Sequence, residues 1–277
     1  MMRSLLVRGM LAGLIAGVLA TLFAYFFGEP SVETAIGLEG TAAHSHSASD
    51  GHSAPDAHSA PDAHGSAAHD PAAHGAATPA EPEEEELVTR GVQSTVGLLT
   101  GVGLYGVAVG GLFSLAFAFV YGRLGTLRPR LTAALLTAGA FVVVFLVPFL
   151  KYPANPPAVG QAGTIGSRTS LYFGFVALSL LIGILAAAFG RKLADKLGAW
   201  RGGLLAAGGY VVLIAVAAAL LPSIDEVPNG FPGSTLWTFR LASIGTQLVL
   251  WTVLGLTFGA LVEKALGRQE VTSPQPG

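Results

Sequence analysis

Seven histidines stand between His44 and His74, and the chain has no others. They fall at His44, His46, His52, His58, His64, His69 and His74, around the tandem Ser53-Ala-Pro-Asp-Ala-His58 and Ser59-Ala-Pro-Asp-Ala-His64. An aspartate precedes a histidine by two positions at Asp50/His52, Asp56/His58 and Asp62/His64. Neutral imidazole is the usual ligand for cobalt, nickel, copper and zinc, and a nearby carboxylate can ligate beside it or orient it. These seven histidines, with Asp50, Asp56 and Asp62, are the candidate metal ligands. Pro55, Pro61 and Pro71 oppose a helix here, so a metal would gather its ligands from a flexible chain. That arrangement suits several weak, exchanging sites, for capture and local concentration. Imidazole must be neutral to ligate and its reference pKa is about 6.5, so capture fades below roughly pH 6. Zinc and copper bind such ligands at least as well as cobalt, and the segment does not select its metal by affinity.

The rest of the chain is built for a different solvent. Only 12% of its 277 residues are charged and 52% are hydrophobic, against about 25% charged in a soluble domain. Roughly 20 apolar residues in a helix cross a bilayer core, and six stretches are long enough: about 9–27, 96–121, 131–150, 171–190, 203–222 and 240–262. The first leaves through Tyr25-Phe26-Phe27-Gly28-Glu29-Pro30, an aromatic interface and a helix stop with no small-residue cleavage site, and so reads as a retained anchor. The predicted class is all-α integral membrane, with about six spans.

Lysine and arginine set the orientation. Eleven of the 15 fall in the two termini and in the second and fourth connections, leaving Arg90, Lys151, Arg168 and Arg240 for the other side. Both termini are therefore expected in the cytoplasm. The chain divides into 1–30, the first span and its exit; 31–86, an external His/Asp-rich segment; 87–266, a five-helix bundle; and 267–277, a cytoplasmic tail. The segment 31–86 is almost free of large apolar residues and has no aromatic one, so it is expected to be disordered, as is the tail. It also carries every acid from Glu33 to Glu86.

Glycine recurs every fourth residue at Gly9, Gly13 and Gly17, and in the pairs Gly97/Gly101, Gly106/Gly110 and Gly255/Gly259. Small residues at this period let helices approach closely in lipid. The bundle has no histidine and the chain no cysteine, so thiolate sites and thiol catalysis are excluded, and no nucleophile and base are spaced for catalysis. The chain reads as a non-enzyme without a permanently bound cofactor. A metal path through the bundle must use oxygen. Its candidate residues gather at the outer helix ends, Glu29, Asn155, Asp225 and Glu226, with Gln247 about two turns inside the last span.

Met2-Arg-Ser-Leu-Leu-Val-Arg-Gly9, Gly28-Glu-Pro30, Leu87-Val-Thr-Arg-Gly-Val-Gln-Ser-Thr-Val-Gly97, Val147-Pro-Phe-Leu-Lys-Tyr-Pro-Ala-Asn-Pro-Pro-Ala-Val-Gly160, Asp225-Glu-Val-Pro-Asn-Gly-Phe-Pro232 and Phe239-Arg-Leu-Ala-Ser-Ile-Gly-Thr-Gln247 together resemble the CbtA family of probable cobalt transporter subunits. The resemblance spans nearly all of the chain outside the histidine segment. It implies a multi-pass protein of a prokaryotic cytoplasmic (inner) membrane, Co2+ as substrate, a small single-span partner (CbtB-like), and cobalt uptake linked to cobalamin synthesis. The family is usually described with five spans, one fewer than counted above. Two other readings stand beside it: a non-conducting scaffold or metal-sensing subunit, and a transporter of an organic ligand such as a corrinoid precursor.

Overall fold

The computed structural model describes residues 2–49, 89–123 and 127–272, and among these there are helices and connections but no strand. Seven helical elements follow in chain order: α1 (Met2–Phe27), α2 (Glu29–Ser49), α3 (Arg90–Val120), α4 (Pro129–Lys151), α5 (Ile165–Leu197), α6 (Ala199–Leu220) and α7 (Gly233–Thr272). All except α2 are long and apolar enough to cross a membrane, which gives the six spans expected. Successive spans alternate in direction. One end of the bundle, the loop face, carries the α1 to α2 junction, the start of α3 and the connections after α4 and α6. The opposite end holds the start of α1 and the end of α7.

Helix resumes directly after Gly28, and α2 carries the first residues of the segment that follows the first span. Pro30 does not prevent this, because the first turn of a helix has no use for its missing N–H. The Ser31 hydroxyl and the Ser31 and Val32 amides all donate to the Gly28 carbonyl, and Ala35 is buried. α7 runs on past the last span to Thr272. The remainder of both segments, 50–86 and 273–277, lies outside the described residues.

Close backbone contact determines which spans pair. α1 packs most extensively on α3 and then on α7, while α4 packs on α7. Gly9, Gly13 and Gly17 face Gly103, Gly106 and Gly110 so closely that a β-carbon on Gly13 would land on the Gly106 carbonyl. Of the other repeats, Gly255 rests on Thr137 and Gly259 on Arg130 and Ala133, whereas Gly101 faces open space. Beside this glycine seam lies an aromatic core in which Phe258 meets both Phe113 and Phe117 edge to face, with Trp251 and Leu254 above.

A second unit, the α5–α6 hairpin, docks on α4 through a polar contact inside the membrane. Residues Phe141–Leu146 of α4 form a stretch of π-helix, and such a stretch frees carbonyls from the regular ladder. The Val143 carbonyl accepts a hydrogen bond from Ser179 of α5 at 2.6 Å, and the Ser179 hydroxyl also meets the Tyr210 hydroxyl of α6 at 2.9 Å. Three helices are thus joined at one serine, where a hydroxyl in hydrocarbon needs a partner.

Candidate functional site

The connection after α4 is compact because its own residues bury it. Tyr152, Pro156 and Val159 are buried between the helix ends, and two backbone positions, Ala158 (φ 64°) and Gly160 (φ 114°), turn the chain sharply. Lys151 Nζ donates to the Leu221 carbonyl at 3.1 Å and the Tyr152 hydroxyl to the Pro222 carbonyl at 2.9 Å. The first of these places a cation at the C-terminal end of α6, where the helix dipole favours it. Lys151 thereby fixes one helix to another.

Two acids of the loop face, Glu226 and Glu29, are already engaged. Oε2 of Glu226 accepts from the Gln161 amide and from the Thr164 hydroxyl, both at 2.9 Å, and lies 3.4 Å from Nε of Arg168. Arg168 also donates to the Gln161 carbonyl. One carboxylate therefore clasps the connection after α6 to the connection after α4 and to the first turn of α5. Glu29 pairs with Arg90, so the start of α2 is tied to the start of α3. The Arg240 guanidinium donates to Asn155 Oδ1 at 3.0 Å. Asp225 is exposed.

These hydrogen bonds, from the Gln161 amide first, then from Thr164, with the Arg168 charge a smaller influence, hold the Glu226 carboxyl below the ordinary glutamate value. The sign of the consequence follows from linkage. A carboxyl whose folded value is depressed contributes stability above its unfolded value, and that contribution disappears as pH falls through the folded value. Amide exchange of residues 161 to 164 is therefore expected to stay protected to a pH below the usual carboxylate range and to accelerate beneath it. In Glu226→Gln the protection factor, taken relative to intrinsic exchange at each pH, should lose this pH dependence; a wild-type profile identical to that variant's would refute the clasp.

Of the residues expected at the outer mouth, Glu29, Asn155 and Glu226 are on the loop face but each is held by an arginine or by loop donors. Gln247 stands well inside α7, where its Oε1 is buried without a hydrogen-bond partner. His44 and His46 lie on the backbone of α2. The other metal-ligand candidates, His52, His58, His64, His69, His74, Asp50, Asp56 and Asp62, lie outside the described residues. Among the described residues no group of three or more His, Cys, Asp or Glu side chains could hold a metal ion.

Sequence reasoning counted Arg168 as an outer charge but did not place it in the site. Arg168 could have been singled out as a charge within the first turn of a span.

Compared with family models, residues 2–263 match the one described as probable cobalt transporter subunit (CbtA). No curated protein and no solved structure matches the chain.

Proposed function

The chain belongs to the CbtA family of probable cobalt transporter subunits, and from that premise we propose that it is the membrane subunit of a divalent metal uptake system, with Co2+ as its substrate. In this reading the terminal face, rich in lysine and arginine, is cytoplasmic, and the loop face opens to the outside or periplasm of a prokaryotic inner membrane. The histidine segment captures the metal and concentrates it over the loop face. The protein catalyses no covalent step and works with a second membrane subunit, a single-span CbtB-like protein.

The observation that carries the reading is where the histidine segment is attached. Residues 50–88 leave from α2 and return to α3, whose first residues are joined by the Glu29–Arg90 ion pair. The C-terminal stem of the segment thus enters the bundle at the loop face, where Glu226 is occupied by its own partners. Imidazoles tethered there supply the metal-binding chemistry that the described loop face lacks. Six spans and a family of transporter subunits support the membrane part of the proposal.

Removal of residues 42–76 tests it. Cobalt uptake at limiting external metal is expected to fall about tenfold, the scale of an effective-concentration effect, and to recover at excess metal. Equal uptake by the two proteins at limiting cobalt would refute capture. The wild-type advantage should also shrink below roughly pH 6, where imidazole is protonated.

A further inference from the structure

Behind the Glu29–Arg90 ion pair, four helices leave a cavity between them. Its volume is about 140 Å³, and Glu29 of α2 lines it together with Ala24 of α1, Leu98 of α3 and Phe239, Ser243 and Thr246 of α7. A single water needs only about 10–15 Å³ of such space, so an ion fits with waters attached. Most of the wall is hydrocarbon. Three polar side chains interrupt it, and each presents an acceptor. Glu29 is a carboxylate. The Ser243 and Thr246 hydroxyls commit their protons to the Phe239 and Ala242 carbonyls of their own helix, at 2.9 and 2.8 Å, which leaves oxygen lone pairs for an occupant. Side chains that accept hydrogen bonds and donate none to the cavity favour a cation over an anion.

A cation of the protein itself answers the carboxylate. Arg90 reaches Glu29 from the solvent side, since their side chains are 36% and 18% exposed and Glu29 is the one that lines the cavity. The arginine also belongs to the less firmly seated element. Gly91, Val92, Thr95 and Val96 are exposed, and a β-carbon on Gly91 would meet nothing. Between this first turn and Leu98, residues Gln93–Gly97 are π-helix, a widened turn of a kind that recurs at functional sites. Segments with few buried contacts open at low cost. Glu29, by contrast, starts a helix whose next residues, Ser31 and Ala35, are buried.

Resting on the uptake reading above, we propose that this cavity binds a divalent cation that keeps part of its water shell, with Glu29 as its one charged ligand, the Ser243 and Thr246 oxygens accepting from its waters, and Arg90 as a latch that the ion displaces. One carboxylate among neutral oxygens is a hard-oxygen set of low charge, which holds such an ion weakly. Exchange is what passage requires. The guanidinium returns when the ion leaves, so the carboxylate is not left uncompensated among apolar walls. The histidine segment runs into α3 at Arg90, so the metal's source and the latch share one stretch of chain.

Removing the latch and removing the ligand should have opposite effects. Co2+ binding to full-length protein in nanodiscs is measured by equilibrium dialysis at about pH 5.5, where imidazole is mostly protonated and an ordinary carboxylate stays charged. Wild type is expected to bind saturably. Arg90→Gln should tighten that binding about fivefold, the upper end for a partly exposed ion pair, Arg90→Lys should leave it near wild type, and Glu29→Gln should abolish it. Ser243→Ala and Thr246→Val should each weaken it about threefold, the scale of one net hydrogen bond, at unchanged melting temperature. A purely structural ion pair would make Arg90→Gln and Glu29→Gln act alike. Binding in Arg90→Gln no tighter than in wild type overturns the latch, and saturable binding that survives Glu29→Gln overturns the site. So does the absence of saturable binding in both wild type and Arg90→Gln. The expected pattern in a protein that gives no cobalt flux in proteoliposomes, with or without the second subunit, leaves the site standing and refutes the uptake reading. Cobalt flux that Glu29→Gln leaves unchanged does the reverse.

Discussion

Gly13→Leu is expected to abolish the folded bundle, or to lower its melting temperature in detergent by more than any other single change at a glycine. At Gly13 the α1 and α3 backbones touch, so a β-carbon there meets the Gly106 carbonyl and stands 3.0 Å from the Gly110 α-carbon. The neighbouring atoms are main chain and cannot rotate away. Gly106 and Gly110 reciprocate, each facing the α1 backbone, so relief requires the two helices to separate along the whole seam. Overpacking a close contact costs about 1–3 kcal/mol when side chains can adjust, and more where only backbone is available to move. α1 also supplies Ala12, Ala16 and Ala20 to the core against α3 and α7, so the damage reaches three helices. Gly101→Ala provides the control. That position is open, and alanine's better helix propensity, about 1 kcal/mol in water, predicts no loss. Equal melting temperatures for Gly13→Leu and wild type would show that the seam does not hold the bundle.

Gly160→Val is the second change with a large expected effect, and it acts on the loop face alone. Gly160 has a φ of 114°, a conformation that a β-branched residue adopts only under strain, typically about 1–3 kcal/mol. Its missing β-carbon is also the surface on which the Arg168 guanidinium lies, with Cζ 2.7 Å and Nη2 2.8 Å from where that carbon would be. The variant should therefore expel Arg168, release Glu226 from one of its partners and free the connection after α4. The chain has no cysteine, so cysteines placed at Ala162 and Val227 can be crosslinked without background. The crosslinking rate is expected to fall at least fivefold in Gly160→Val while the α1–α3 contact stays intact. An unchanged rate would mean that the two connections are held together by something other than this clasp.

The contrast between these sites shows what is legible in a sequence. The glycine spacing in α1 announced a close approach, because a four-residue period of small side chains has few other uses in lipid. Identical spacing at Gly97 and Gly101 announced nothing, since that face of α3 meets no neighbour. On the loop face, Glu29, Asn155, Glu226 and Arg240 were recognisable as polar groups at helix ends. Their partners were not. Arg240 bonds Asn155 and the adjoining backbone, and it is Arg168 that meets Glu226. Charge alone does not choose between two arginines; the order of the helices around the bundle does.

What the sequence determined by itself is whatever depends on solvent: the six spans, the polar first connection with its histidines, and the basic ends. Each is a sum over local composition, and burial in lipid or water follows from it directly. Tertiary structure decided which spans touch, that Ser179 and Tyr210 dock the α5–α6 hairpin on a freed carbonyl of α4, and that Gln247 and Trp251 bring partnerless polar atoms to a common depth. In hydrocarbon every face of a span is apolar, so hydrophobic pattern carries no information about neighbours. Only close packing and the satisfaction of a few polar groups select them, and both are properties of pairs of helices.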